Sequence, residues 1–226
     1  MSGFTHRQLS GIRVTTMRVG LFVAAGGELI RFDVFFDYQC PFVYRIAEVI
    51  DAVRRSGARS LDVGWRYFSL TQVNSKDDGW TAWGAPATEW VRGRLAFQAA
   101  EAARRQGRFE DMHWRLLRAR HRDRVDLEDS KAVDAMAEEA GLDIDRFRRD
   151  VADRSTLDAL AADHTAAVSA HGVFGTPTLV FPGGEAAYVR LSPAALQAGA
   201  VEVFDRVLAV AAAEPRILEI KRPYKR

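Results

Sequence analysis

Two short segments of the sequence contain residues that could do chemistry together. Cys40 is the only cysteine of the 226-residue chain and is followed at once by Pro41. Far along the chain, Thr176 and Pro177 directly precede an apolar run. A single cysteine excludes an intramolecular disulfide, a four-cysteine zinc site and an iron–sulfur cluster held by the chain's own thiolates. The chemistry expected of Cys40 is therefore that of one thiolate acting as a nucleophile.

The elements around Cys40 predict how its thiolate would be stabilised. Residues 30–38 are rich in β-branched and aromatic types and predict a buried strand, whereas residues 41–55 repeat apolar side chains at helical spacing. Pro41 suits the first turn of that helix, where its missing N–H has no partner to lose. Cys40 would then lie at the helix N-terminus, where unpaired N–H groups and the helix dipole stabilise a thiolate.

The remaining pattern predicts a split sheet with a helical block between its halves. Residues 61–70 predict a second strand, residues 71–87 a long loop, and residues 178–181 and 187–191 two short strands. Between the loop and the third strand we predict helices at 88–106, 109–121, 128–140, 143–152 and 154–170. Asp126 and Asp143 are the predicted N-caps in this block, and a last helix is predicted from Ser192-Pro193 to Ala213.

The predicted fold class is α/β, because a βαβ unit and a ββα unit can share one sheet with an all-helical insertion between them. Proline directly before a strand is tolerated, so Thr176-Pro177 would lie at the start of the third strand, beside the first helix. The predicted divisions are an N-terminal extension 1–29, a sheet domain in two halves 30–84 and 172–213, a helical insertion 85–171 and a basic tail 214–226.

Composition excludes several broad classes of function. The 32 basic and 30 acidic residues are interspersed, so we expect no nucleic-acid partner. No stretch approaches the roughly 20 apolar residues of a transmembrane helix, so we expect no membrane partner. The apolar run 19–25 is at the short limit for a secretory signal and no convincing small-residue cleavage site follows it, which favours a cytoplasmic location. The five histidines show no metal-ligand spacing, so no metal site is predicted.

Three segments of the chain carry a resemblance to a known family. They are Phe36-Asp37-Tyr38-Gln39-Cys40-Pro41-Phe42-Val43-Tyr44, then Trp65 to Leu70 with Asn74, then Gly172-Val173-Phe174-Gly175-Thr176-Pro177-Thr178. With their spacing, these segments resemble the DsbA-type branch of the thioredoxin superfamily, especially its cytoplasmic FrnE-like members. The resemblance covers residues 30–212 and implies a thioredoxin-like fold with thiol–disulfide oxidoreductase activity.

The resemblance also implies roles for particular residues. Cys40 would match the family's nucleophilic cysteine, and Pro177 its cis-proline. Phe42 would take the aromatic position inside the usual Cys-Pro-Trp-Cys motif. The predicted site is therefore catalytic Cys40 with Pro41, Phe42, Thr176 and Pro177 as binding residues.

Val43 departs from the family's pattern, because the resolving cysteine of a dithiol enzyme would fall there. Without a second thiol, any redox cycle must pass through a mixed disulfide with an external thiol or through a sulfenic acid. We therefore expect a monothiol mechanism with a small thiol or a protein disulfide as substrate. No tightly bound cofactor is predicted, and glutathione or mycothiol is the expected co-substrate.

Two other functions stay open at this point. Kappa-class glutathione transferases and 2-hydroxychromene-2-carboxylate isomerases share the split architecture and place a serine near the position of Cys40, so a thiol-cofactor-dependent transferase or isomerase is one alternative. Asn74 is then a candidate cofactor contact, by position only. The other alternative is a non-catalytic binding protein with a vestigial site, acting as a homodimer. His171 is a candidate thiolate partner, and Phe42, Trp80 and Trp83 are candidates for an aromatic lid.

Overall fold

The fold is built from one central sheet and the helices packed on it. The computed structural model describes residues 29–214, 216–220 and 222, so the predicted N-terminal extension lies outside the described residues apart from Leu29. In the described residues the elements follow in this order: β1 (Leu29–Phe36), α1 (Pro41–Ser56), β2 (Ser60–Tyr67), α2 (Leu70–Val73), α3 (Arg94–Arg105), α4 (Phe109–His121), α5 (Ser130–Glu139), α6 (Ile144–Ala152), α7 (Thr156–His171), β3 (Thr178–Val180), β4 (Ala186–Tyr188), a 3-10 helix (Pro193–Ala195) and α8 (Ala200–Ala211).

The sheet has the strand order β2-β1-β3-β4, with β1 as an inner strand. β1 runs parallel to β2 along its whole length, with Phe36 opposite Tyr67 at the carboxyl ends. β3 runs antiparallel to β1, with Phe35 opposite Thr178, and β4 runs antiparallel to β3. The parallel pair needs the crossover through α1, whereas β3 and β4 form a hairpin. The predicted α/β class is confirmed.

Both faces of β1 are buried. Phe32, Val34 and Phe36 pack in the larger core, which includes residues of α1, α3, α4 and α8. Phe35 belongs to a second cluster with Ala167 of α7. Because successive side chains of a strand point to opposite faces, helices must cover both sides of the sheet.

The helix α1 begins and ends at the residues that the sequence indicates. Pro41 occupies the first turn, and Gly57 ends the helix in a left-handed conformation, with a φ of +67° that favours glycine. The Gly57 N–H donates a hydrogen bond to the Arg54 carbonyl. The buried stripe repeats at helical spacing, as predicted, and contains Val43, Tyr44, Ile46, Ala47, Val49, Ile50 and Val53.

The helical block contains the predicted helices, with two corrections. The first helix begins at Arg94 instead of residue 88, because residues 88–93 form turns that end at Gly93 with a φ of +83°. Asp126 as an N-cap is wrong, since Asp129 accepts the hydrogen bond from the Lys131 N–H at the start of α5. Asp143 is confirmed as the cap of α6.

Two further boundaries differ from the predictions. The second strand ends at Tyr67, because the Ser69 hydroxyl caps the short helix α2 instead of extending the strand. The predicted last helix is divided into the 3-10 turn and α8, since Gly199 before α8 has a φ of +96° that a continuous helix does not allow.

Candidate active site

Strand topology brings the two chemical segments together. Cys40 follows the carboxyl end of β1 by four residues, and Pro177 immediately precedes β3. Because β3 is antiparallel to β1, its amino end lies beside the carboxyl end of β1. Residues 136 positions apart in the sequence, Cys40 and Thr176, therefore meet at one edge of the sheet.

Cys40 occupies the N-cap position of α1. Its backbone is extended (φ −87°, ψ 115°), and its carbonyl accepts a hydrogen bond from the Val43 N–H. The Cys40 thiol donates to the carbonyl oxygen of Thr176 over 3.2 Å. Only 5% of Cys40 is exposed, so its thiol lies almost wholly inside the fold.

The segment before β3 presents a turn with a cis peptide bond between Thr176 and Pro177. The Pro177 carbonyl accepts from the Val189 N–H, and the Thr178 hydroxyl donates to the Gly175 carbonyl over 2.8 Å. The Thr176 hydroxyl differs from these groups. Thr176 is 2% exposed, and among the described residues no donor or acceptor pairs with its Oγ1.

Aromatic residues border this turn on its solvent side. Phe174 is 68% exposed, and its ring lies 5.2 Å from the ring of Tyr188 in β4. Tyr188 also contacts Gly175, where a Cβ would meet the Tyr188 ring at 3.4 Å. On the other side, Phe42 is half-buried and the guanidinium carbon of Arg190 lies 3.9 Å from its ring centroid.

A buried carboxyl group fixes the chain just before Cys40. The Asp37 carboxylate accepts hydrogen bonds from the Gln39 N–H and the Leu70 N–H, each 2.7 Å long. Burial raises the pKa of the Asp37 carboxyl to about 6, although these two N–H groups and the charge of Arg92 lower it. The Asp37 carbonyl also accepts from the Cys40 N–H.

Two histidines of α4 hold Tyr38 in place. The Tyr38 hydroxyl and His113 Nδ1 share a hydrogen bond of 3.0 Å, and His121 Nε2 donates to the Tyr38 carbonyl over 2.8 Å. Burial, aided by the charges of Arg104 and Arg54, lowers the pKa of His113 to about 3. His113 is therefore a neutral structural group at physiological pH.

The structure places the five predicted site residues around one point. Cys40, Thr176 and Pro177 are buried together, Phe42 borders them and Pro41 is exposed in the first turn of α1. Their catalytic and binding roles stay predictions. The sequence reading missed other groups at this point, Asp37 and Arg190. Asp37 lies inside the predicted strand 30–38. Arg190 lies inside the predicted strand 187–191, but the structure ends that strand at Tyr188 and so leaves Arg190 outside it.

Other candidates lie elsewhere. His171 packs against Phe35, 6.0 Å between ring centroids, so it faces the second cluster and not the core that contains Cys40. The prediction of His171 as a thiolate partner is therefore wrong. The Asn74 side chain donates to the Leu70 carbonyl and so caps α2. Trp80 donates to Glu89, within the segment between α2 and α3. Trp83 packs against the buried His164.

Comparison with protein families identifies the class of this chain. A family model of the DSBA-like thioredoxin domain matches residues 31–204. The chain therefore belongs to the DsbA-like thioredoxin domain family. The resemblance to the DsbA-type branch is confirmed, whereas membership of the FrnE-like group stays a prediction.

Solved structures share the fold at low sequence identity. A probable DsbA oxidoreductase from Streptomyces coelicolor is similar with a TM-score of 0.56 and 22% identity, over 87% of this chain and 93% of that chain. An oxidoreductase DsbA from Xylella fastidiosa is similar with a TM-score of 0.54 and 16% identity, over 81% and 87%. A 2-hydroxychromene-2-carboxylate isomerase is similar with a TM-score of 0.55 and 15% identity, over 81% and 98%.

Curated relatives are much longer proteins. The Na(+)/H(+) antiporter NhaA 3 of Salinispora tropica is 32% identical over 151 residues, which are 66% of this chain and 19% of that protein. The Na(+)/H(+) antiporter NhaA 1 of Mycolicibacterium gilvum is 30% identical over 148 residues, 65% of this chain and 21% of that protein. This chain thus spans about a fifth of the length of these relatives. Within the described part of the chain, no helix is long and apolar enough to cross a membrane.

Proposed function

We propose that this chain is a thiol–disulfide oxidoreductase that works through Cys40 alone. The observation that carries the proposal is the position of the Cys40 thiol, at the N-terminus of α1 and 3.2 Å from the Thr176 carbonyl. The helix end supplies unpaired N–H groups and a positive partial charge for a thiolate. The neighbouring turn supplies backbone groups against which an extended substrate can align.

The reaction proposed is one thiol–disulfide exchange followed by a second. The Cys40 thiol loses its proton to solvent, and the thiolate attacks one sulfur of a disulfide. A new S–S bond joins Cys40 to that half, the old S–S bond breaks, and the other half leaves as a thiolate. Cys40 is oxidised to a mixed disulfide while the leaving half is reduced, so electrons balance.

An external thiol must complete the cycle. Val43, which occupies the place of a resolving cysteine, is fully buried in the core. A small thiol such as glutathione or mycothiol would attack the mixed disulfide and regenerate the Cys40 thiolate. The substrates proposed are thus small thiols or protein disulfides. A cytoplasmic location and a homodimer stay predictions from the sequence.

A thiol-cofactor-dependent transferase or isomerase is the second candidate. It is favoured by the single cysteine, because such enzymes need no resolving thiol, and by the fold shared with an isomerase. In that case Cys40 would position a cofactor sulfur and would form no covalent bond. Serine at position 40 could then preserve the activity.

Trapping the mixed disulfide tests the leading proposal. Purified protein is incubated with glutathione disulfide or mycothiol disulfide and its intact mass is measured, with Cys40→Ser as the control. We expect one added thiol moiety on the wild type and none on Cys40→Ser. Pro177→Ala should retain Cys40 but form the adduct more slowly, because the turn that aligns the substrate is changed.

The outcomes separate the candidates. No adduct on the wild type with either disulfide would sink the redox proposal. Turnover by Cys40→Ser in the presence of a thiol cofactor would establish the transferase or isomerase instead. Absence of both activities would leave a binding protein.

A further inference from the structure

We propose that Arg190 selects the substrates of Cys40 by binding a carboxylate that lies close to the reacting sulfur. The inference rests on the proposed thiol–disulfide exchange and names its preferred substrate class, disulfides that carry a negative charge beside the S–S bond. It concerns a residue that the thiol chemistry itself does not use.

Contacts on both sides of the candidate site position Arg190. Its guanidinium carbon lies 3.9 Å from the ring centroid of Phe42, which stands two residues after Cys40 in the first turn of α1. Its chain neighbour Val189 donates a backbone hydrogen bond of 3.0 Å to the Pro177 carbonyl. Both contacts place the Arg190 side chain beside the path by which a disulfide would reach the thiol.

The Arg190 guanidinium is available for an anion. The residue is exposed, and within the described residues no Asp or Glu oxygen lies at ion-pair distance from it. Arg148, by contrast, is an exposed arginine that pairs with Asp134 at 2.8 Å. A guanidinium over an aromatic ring still has N–H groups that can bind a carboxylate in a bidentate geometry.

A second polar group at the site awaits a partner. The Thr176 hydroxyl is buried, and no group of the described chain pairs with it. A buried hydroxyl without a hydrogen bond is costly, so its presence here favours a polar ligand at the turn.

Arg190 acts on the first exchange step, the attack of the Cys40 thiolate on the disulfide. The Cys40 thiolate forms an S–S bond with one half of the disulfide, and the other half leaves as a thiolate that carries its own carboxylate. Arg190 takes no part in bond making. It raises the rate by attracting the anionic disulfide to the thiolate and by offsetting the repulsion between two negative groups.

Three small disulfides of similar size and different charge test the proposal. They are bis(2-carboxyethyl) disulfide, with two negative charges, neutral bis(2-hydroxyethyl) disulfide, and cystamine, with two positive charges. The second-order rate constant of mixed-disulfide formation on Cys40 is measured with each, for wild type, Arg190→Gln and Arg190→Glu. Arg148→Gln is the matched control, because it removes the same charge from α6 in the helical block.

The expected result is a change of selectivity. Arg190→Gln should slow the dianionic disulfide about two- to fivefold, the range of an exposed ion pair, while the neutral disulfide keeps its rate. Arg190→Glu should extend that loss and accelerate cystamine. Arg148→Gln should leave all three rate constants unchanged. The neutral disulfide also reports that each variant is folded and its thiol competent.

Two failures can be told apart. If the wild type reacts with none of the three disulfides, the proposed function fails and this inference with it. If the wild type reacts but Arg190→Gln changes all three rates equally or not at all, only the role of Arg190 is overturned.

A parallel arm with cysteine peptide disulfides flanked by Asp or by Lys distinguishes the sources of the carboxylate. Selectivity confined to the small disulfides indicates that the substrate is a disulfide of a small thiol. Selectivity that extends to the peptides indicates that the substrate is a protein disulfide.

Discussion

The two sides of Cys40 are built differently. On the side of α1, Asp37 and Tyr38 are paired within the chain: the Asp37 carboxylate accepts from two backbone N–H groups, and Tyr38 forms hydrogen bonds with two histidines. On the side of β3, the segment 174–177 leaves the Thr176 hydroxyl unpaired among the described residues and exposes 68% of Phe174. The first side is a support that holds the thiol, whereas the second has the features of a surface for a ligand.

This difference separates stability from function. Buried groups that are fully paired fix one geometry, and removing one partner leaves the other unsatisfied at a cost in folding free energy. An unpaired buried hydroxyl already has that cost in the free protein, so removing it need not destabilise the fold. Substitutions on the support should therefore change the free energy of unfolding, and substitutions on the ligand side should change the reaction rate of Cys40.

The largest effect on stability is expected from Asp37→Ala. The substitution leaves the Gln39 and Leu70 N–H groups without their acceptor, and we expect a loss of about 2–4 kcal/mol in the free energy of unfolding. Urea denaturation measures it. Asp33→Ala is the control, because Asp33 is partly exposed and, within the described part of the chain, pairs only with the exposed Arg66, so it should cost less than about 1 kcal/mol. Equal losses for the two variants would contradict the assignment of Asp37 to the support.

The pH dependence of stability sharpens the same point. The pKa of Asp37 is raised from 3.8 to about 6 in the folded chain, so folding favours the protonated carboxyl. The stabilisation that this protonated form gives is fully present below pH 3.8 and is lost as the pH rises through 6. The stability of the wild type relative to Asp37→Asn should therefore fall by about 2–3 kcal/mol between pH 4 and pH 7.

The comparison with Asp37→Asn is needed because the histidines act in the opposite direction. The pKa of His113 is lowered to about 3 and that of His164 to about 4, both by burial. Their stabilisation is present above pH 6.5 and is lost as the pH falls through those values. Subtracting the free energy of unfolding of Asp37→Asn from that of the wild type at each pH removes the contribution of the histidines. A difference that does not change across pH 4–7 would show that the pKa of Asp37 is not raised.

Smaller effects on stability, different at two nearby positions, are expected when two threonines are replaced by valine. Thr176→Val removes an unpaired hydroxyl and should leave stability unchanged or raise it by about 1 kcal/mol, while slowing adduct formation at Cys40. Thr178→Val removes the hydrogen bond to Gly175 and should lower stability by about 1 kcal/mol. Thermal unfolding and the rate of adduct formation are measured for both. A destabilised Thr176→Val with an unchanged rate would place Thr176 in the support.

Much of this arrangement was predictable, and the residues show where prediction stopped. Strand, cysteine, proline and helix follow one another so closely that the position of Cys40 needs no tertiary information. The approach of Thr176 to Cys40 needs only the pairing of two recognisable strands. The contact between Phe42 and Arg190 joins residues 148 positions apart, and no periodicity indicates it.

The errors have similarly local causes. His171 was close to the turn in sequence, but α7 covers the opposite face of the sheet from α1, and sequence spacing does not give that face. Asp126 and Asp129 both precede the same helix at plausible positions, and only the backbone geometry selects Asp129. The break before α8 at Gly199 had a signal in the sequence, since glycine inside an apolar helical pattern weakens it.

Steady-state turnover tests the central claim, a monothiol cycle through Cys40, most directly. The measurement is the reduction of bis(2-hydroxyethyl) disulfide by glutathione or mycothiol, with the wild type and Cys40→Ser compared over a range of both substrates. We predict ping-pong kinetics for the wild type, a Cys40 mixed disulfide trapped during turnover, and no activity above background for Cys40→Ser. Equal turnover by Cys40→Ser, or turnover without a trapped mixed disulfide, would contradict the monothiol cycle.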